Sequence, residues 1–192
     1  MQAIPKPRLR ISKGFFISTN MGREIRKVPL NWQHPKKDPN NRYYREGSDN
    51  FQPLYNRGYN QEAKEWIEGL KKWESGSRKT NDQDYTYFWE YEGNPPDKEY
   101  YRPDWTEEEM NGYCLYETVS EGTPVSPVFA TLDELAEYLA EYGDFWDKRR
   151  GSGGWGIERA KAFCESGWAP SFVGIPGHGL FEGKLVTNLQ NK

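Results

Sequence analysis

Apolar positions along this chain recur with two periods, and each period predicts a different element. Residues 23–30 read as a short strand or extended segment. A polar, turn-rich stretch follows, punctuated by Pro35, Pro39 and Pro53. Between residues 60 and 74, Ala63, Trp66, Ile67, Leu70 and Trp73 make one apolar stripe at helical spacing. Asn60 is placed to cap that helix and Ser75-Gly76 to stop it. Gly69 inside it costs ~1 kcal/mol relative to Ala. Residues 77–84 are loop-like, and residues 85–91 are aromatic enough for a strand. Residues 93–97 form a turn, residues 100–105 are extended, and Thr106 with Glu109 resembles a capping box.

Residues 113–119 alternate as a strand, with Tyr113, Leu115 and Val119 on one face and Cys114, Tyr116 and Thr118 on the other. After a turn at 120–124, residues 125–129 read as a second short strand. Pro127 inside it argues for an edge or a bulge. Thr131-Leu132-Asp133-Glu134 is a capping box for a helix carrying Leu132, Leu135, Ala136 and Leu139 and stopping near Gly143. A flexible loop at 151–154 leads to a helix over 155–166, with Ile157, Ala160, Phe163 and Cys164 inward and Gly167 at its end. Residues 171–175 and 180–186 suggest a last hairpin. Helices and strands mix without a βαβ rhythm. The expected fold is therefore α+β, a single domain over 23–192 with a small antiparallel sheet, about three helices and long aromatic-rich loops. Residues 1–22 are expected to be a loose basic extension.

Composition changes this picture in one respect. Leu, Ile and Val number 24 in 192 residues, against 30 Phe, Trp and Tyr. So few aliphatics would suggest disorder, but the net charge is only −3 and each large ring can bury ~150–250 Å². Thirty rings can therefore build a core that the aliphatics could not. Charge is divided unevenly: residues 1–45 carry +9, residues 46–145 carry −15 and residues 146–192 carry +3. A basic arm on an acidic body points either to nucleic acid or to that body itself, including the body of a second copy. The acidic body would repel a phosphate backbone, which favours the protein surface. No apolar run approaches the roughly 18–20 residues that span a bilayer. The basic start lacks the apolar stretch and cleavage site of a secretory signal. Cys114 and Cys164 are the only cysteines, too few for a disulfide framework, and are expected as free thiols in a reducing compartment.

Most local chemistry motifs yield to plainer readings. Gly151-Ser152-Gly153-Gly154-Trp155-Gly156 fits G-x-G-x-x-G, but no buried strand precedes it, so it reads as an inter-helix loop. Lys148, Arg149 and Arg150 could still help a phosphate at the following helix start. Residues 179–184 fall one spacer short of a Walker A and read as a hairpin. His34 and His178 form no metal-binding pair with each other or with the cysteines, so no metal or cofactor is expected. The thiols sit on a strand and in a helix stripe, as inert buried cysteines do. Carboxylates such as Glu107, Glu109, Asp97, Asp104 and Glu117 show no acid/base pairing, and no catalytic residue is assigned. Tyr/Arg clusters at 42–45 and 100–102 suit base stacking as well as ordinary packing.

One resemblance extends beyond local chemistry. Val28-Pro29-Leu30-Asn31-Trp32-Gln33-His34-Pro35, Tyr100-Tyr101-Arg102-Pro103-Asp104-Trp105 and Glu121-Gly122-Thr123-Pro124-Val125-Ser126-Pro127-Val128-Phe129 carry it. Over residues 23–172 the chain resembles a family of small proteins of tailed bacteriophages and prophages, marked by V-P-x-x-W-x-H-P and E-G-T-P-x-S-P-V-F. The resemblance implies an accessory phage product in the host bacterial cytoplasm and supplies no catalytic residues. The leading expectation is a protein that neutralises an antiviral defence by binding. Its target would be a host defence protein or a nucleotide-derived immune signal. In the second case Trp32, Trp105 and Tyr116 would stack a base, and Thr118, Thr123 and Ser126 would bond to it. His34, Tyr101 and Arg102 complete the candidate ligand-binding set. Single-stranded nucleic-acid binding and a small nucleotide hydrolase are the alternatives.

Overall fold

Two strands far apart in the chain make the centre of the larger part of the structure. In a computed structural model, the described residues are 22–41, 44, 50–76, 85–118, 121–175 and 179–183. Expectations for the basic extension, the 42–45 cluster apart from Tyr44, residues 77–84, Val119, Ser120, His178 and residues 184–186 lie outside them. The described residues form two compact units, one of residues 57–104 and one running up to Asn56 and onward from Trp105. The α+β class with a small antiparallel sheet is observed.

In the larger unit, β1 (Gly22–Val28) pairs antiparallel with β4 (Gly112–Glu117), Ile25 facing Leu115 and Arg23 facing Glu117. Strand β5 (Thr123–Pro124) adds to β4, and β6 (Trp168–Pro170) to the far side of β1. The four-stranded order is β5-β4-β1-β6. The expected strand over 125–129 is replaced by a shorter one at 123–124. Ser126 causes the break: its Oγ accepts the Leu115 N–H at 2.9 Å, in place of a carbonyl, and pairing resumes only at a Tyr113–Phe129 bridge. The proline in this segment thus sits beside an edge strand and an irregularity, as its missing N–H requires.

Period two then sorts the faces. Leu115 and Ala169 pack with Val125 against α3 (Leu132–Tyr142) and α5 (Ile157–Ser166), where Leu135, Ala136, Leu139, Ala160 and Phe163 are buried. Thr131 caps α3 as expected: its Oγ1 accepts the Glu134 N–H, and Glu134 Oε2 accepts the Thr131 N–H. Leu132 is exposed rather than inward. So is Ile157, because α5 begins there rather than at Trp155. A further helix, α4 (Phe145–Arg150), is not foreseen by the apolar pattern. The glycine-rich loop after it serves α3: the N–H groups of Trp155 and Gly156 bond to Leu139 O and Ala140 O at 3.0 and 3.2 Å. Its donors are engaged in closing a helix end rather than arranged around a phosphate. Strands β7 (Phe172–Ile175) and β8 (Gly179–Glu182) form the last hairpin.

The smaller unit contains α1 (Tyr59–Glu74), α2 (Phe88–Glu92) and β3 (Tyr101–Arg102), which pairs with β2 (Tyr55–Gly58), the strand whose second half, from Arg57, belongs to this unit. Two expectations are corrected here. Helix α1 starts at Tyr59, and Asn60 donates to Asp104 Oδ2 (2.5 Å) instead of capping. Residues 85–91 are not a strand. Glu90 accepts the N–H groups of Thr86 and Tyr87 at 2.9 and 3.0 Å, starting a helical turn that buries Phe88 against Trp66 and Trp73. Aromatic content suits either state, and the capping carboxylate decides it. No residue of α1 is fully buried, and Ile67 of the stripe is 47% exposed. Among the described residues no helix is long and apolar enough to cross a membrane.

Candidate functional site

Four of the sequence-derived candidates meet on the sheet face opposite α3 and α5. Trp32, Trp105 and Val128 cover Val28, Cys114 and the buried Tyr116. His34 Nε2 lies 2.6 Å from Gln52 O, which can only accept, so Nε2 carries the proton. Nδ1 then accepts from the Tyr116 hydroxyl at 3.1 Å, and that oxygen accepts from Trp32 Nε1 at 3.3 Å. Burial holds the imidazole neutral, with its pKa lowered to about 4 against the pull of Gln52 O, and Arg26 adds to the lowering. Burial likewise raises the Tyr116 pKa above its ordinary value.

Arg26 completes this cluster from β1. Its guanidinium stands 4.3 Å from the Tyr116 ring centroid and donates to Glu24 Oε1, Leu54 O and Glu121 O at 2.5, 2.6 and 2.7 Å. A buried cation with three acceptors ties the Gln52–Leu54 segment and the Glu121 turn to the sheet. Gly122 belongs to this contact: its φ is 116°, and a Cβ there would overlap the guanidinium. The rings and imidazole foreseen as ligand contacts are thus engaged with one another. The remaining candidates are dispersed. The Thr118 N–H bonds to Gly22 O, Thr123 lies in β5 opposite Glu117, and Ser126 serves the sheet irregularity. Tyr101 and Arg102 belong to the smaller unit, where Tyr101 packs edge-on to Tyr59 and Arg102 donates to Pro103 O.

The thiols are closed to nucleophilic chemistry. Burial raises the Cys114 pKa to about 12 and that of Cys164 to about 11. Among the described residues no group of three or more His, Cys, Asp or Glu side chains could hold a metal ion.

Open space lies elsewhere, on the helix-covered face. A cleft of about 220 Å³ is lined by Arg23, Glu117, Trp146, Arg150, Pro170, Ser171 and Glu182. Its walls are held from behind by two buried aspartates. Asp144 caps α4, accepting the N–H groups of Trp146 and Asp147 at 2.8 and 3.0 Å, and accepts Arg23 Nε at 2.8 Å. Asp147 accepts Trp155 Nε1 at 2.7 Å and Arg150 Nη2 at 3.2 Å. Arg23 Nη1 then reaches Glu117 Oε1 at 3.2 Å, and Trp146 Nε1 donates to Glu117 Oε2 at 2.6 Å. Asp144 therefore orients Arg23, and Arg23 with Trp146 orients Glu117. This is a supporting shell that fixes a cleft-lining carboxylate.

The cleft residues are scattered over β1, β4, α4 and the segments around β6 and β8. Sequence reasoning named Glu117 and Arg150 for other reasons and missed Arg23, Trp146, Ser171 and Glu182. The Asp144-x-x-Asp147 spacing was the available signal, since a capping aspartate with a carboxylate three residues on marks a helix start. The Arg23–Glu117 pair follows only from the β1–β4 register. Comparison with family models, curated proteins and solved structures yields no match to this chain.

Proposed function

We propose that this chain is a binding protein that neutralises a bacterial antiviral defence by sequestering a nucleotide-derived signal in the host cytoplasm. The reading accords with its resemblance to accessory phage proteins. The observation that carries it is the cleft, where two arginines, two glutamates, a tryptophan and a serine line one open space. Such a lining offers hydrogen-bond partners to sugar and phosphate together. Neither the thiols nor His34 lines the cleft, and His34 is engaged at both nitrogens. At about 220 Å³ the cleft is below the roughly 300–1,000 Å³ of whole-ligand pockets, so it holds one part of such a molecule. The test is a thermal-shift screen of the purified protein against cyclic oligonucleotides and ADP-ribose derivatives, with mass spectrometry of released ligand. Intact ligand recovered from a stabilised complex supports a sponge. Altered ligand indicates a hydrolase, and no shift with any compound removes the reading.

A second reading, inhibition of a defence protein, is favoured by the smaller unit. There Tyr87 and Trp89 stack at 4.4 Å and 7°, and both are about half exposed. Exposed Tyr and Trp are the residue types that dominate binding energy at protein interfaces. A Y87A/W89A variant that keeps its melting temperature and still protects phage would dismiss it.

A further inference from the structure

Resting on the sequestration reading, we infer that the cleft recognises a ribose with a free cis-diol next to a phosphate group. Glu117 and Glu182 accept from the hydroxyls, and Arg150 donates to the phosphate. The two arginines lining the cleft are not equivalent. Arg23 is held by two carboxylates, Asp144 at 2.8 Å and Glu117 at 3.2 Å, with a side chain only 13% exposed. It is a positioning residue for Glu117. Arg150 touches one carboxylate, Asp147, at 3.2 Å, and its side chain is 54% exposed. A guanidinium has five N–H donors, so Arg150 can take a phosphate oxygen without breaking that bond.

The carboxylates supply the opposite preference. Each ionised carboxylate offers about four lone-pair sites. Glu117 accepts from Arg23 and from the Trp146 indole, which fixes its orientation and leaves acceptor capacity. A carboxylate is the common partner of ribose hydroxyls in nucleotide sites. The lining also discriminates by charge. A simple anion in the cleft meets two glutamates and a simple cation meets two arginines. A sugar phosphate satisfies both, because its donors and its negative charge sit on adjacent groups. The cleft volume suits that fragment, with any base lying outside it.

The experiment is calorimetric titration of the full chain with AMP, 2′-deoxy-AMP, adenosine, ribose 5-phosphate and inorganic phosphate. AMP and ribose 5-phosphate are expected to bind alike. Deoxy-AMP and adenosine should each be weaker by roughly tenfold or more, the loss of one hydrogen bond to a charged group. Arg150→Ala should abolish the difference between AMP and adenosine. Glu182→Ala should narrow that between AMP and deoxy-AMP, since one of the two hydroxyl acceptors is lost. Deoxy-AMP binding as tightly as AMP, or inorganic phosphate binding as tightly as either, overturns this inference on the unmodified chain and leaves sequestration standing. Ribose 5-phosphate failing where AMP binds also overturns it, because the base would then carry recognition. If none of these and none of the cyclic oligonucleotides or ADP-ribose derivatives bind, sequestration falls as well.

Discussion

His34 makes the fold sensitive to mild acid, and the structure sets the size and direction of the effect. Its imidazole is buried between the Tyr116 hydroxyl and the Gln52 carbonyl, and its pKa is lowered from 6.5 to about 4. The neutral form is the one that fits, because Nδ1 must accept from Tyr116. As pH falls below 6.5 the unfolded chain binds a proton that the folded chain refuses, so stability falls with pH. The loss grows from pH 6.5 down to about 4 and then levels off. At about 1.4 kcal/mol per tenfold change in proton affinity, the full loss is about 3 kcal/mol. Urea unfolding from pH 8 to pH 4, on the unmodified chain and on His34→Gln, measures it. Carboxylate titration affects both chains, so the difference between the two curves isolates His34. That difference should change by about 3 kcal/mol across the window. Parallel curves would refute the reasoning, since the folded imidazole would then titrate as it does in the unfolded chain.

Three further outcomes follow from the same packing. Arg26→Met should destabilise the chain by about 3–5 kcal/mol in urea unfolding, because Leu54 O, Glu121 O and the Glu24 carboxylate lose a buried cation. Thr131→Ala should cost about 1 kcal/mol by removing the Oγ1 acceptor from the Glu134 N–H, read as a lower urea midpoint at unchanged slope. At pH 8 Cys114 and Cys164 should resist a disulfide-exchange reagent in the native state and react promptly in urea, since burial holds both protonated.

The sequence by itself determined the local elements. The α3 helix is legible because Thr131 and Glu134 satisfy each other's backbone donors within four residues, and its apolar spacing needs no partner to be recognised. Strand β4 is legible from alternation alone, and α5 ends at Gly167, whose φ of 70° suits glycine. The strand expected at 85–91 failed because aromatic density carries no period, and Glu90 formed a helical turn instead.

The tertiary structure decided what the aromatic surplus does. Trp32, Trp105 and Tyr116 lie near turns and look available in sequence, yet β1–β4 pairing closes them over Arg26 and His34. The cleft is a product of register. Arg23 and Glu117 are 94 positions apart in the chain and become partners only when Ile25 is set against Leu115. A shift of one residue would put the two side chains on opposite faces of the sheet. Local chemistry fixes elements through groups a few residues apart, whereas a site needs groups from distant strands, and only pairing and packing bring those together.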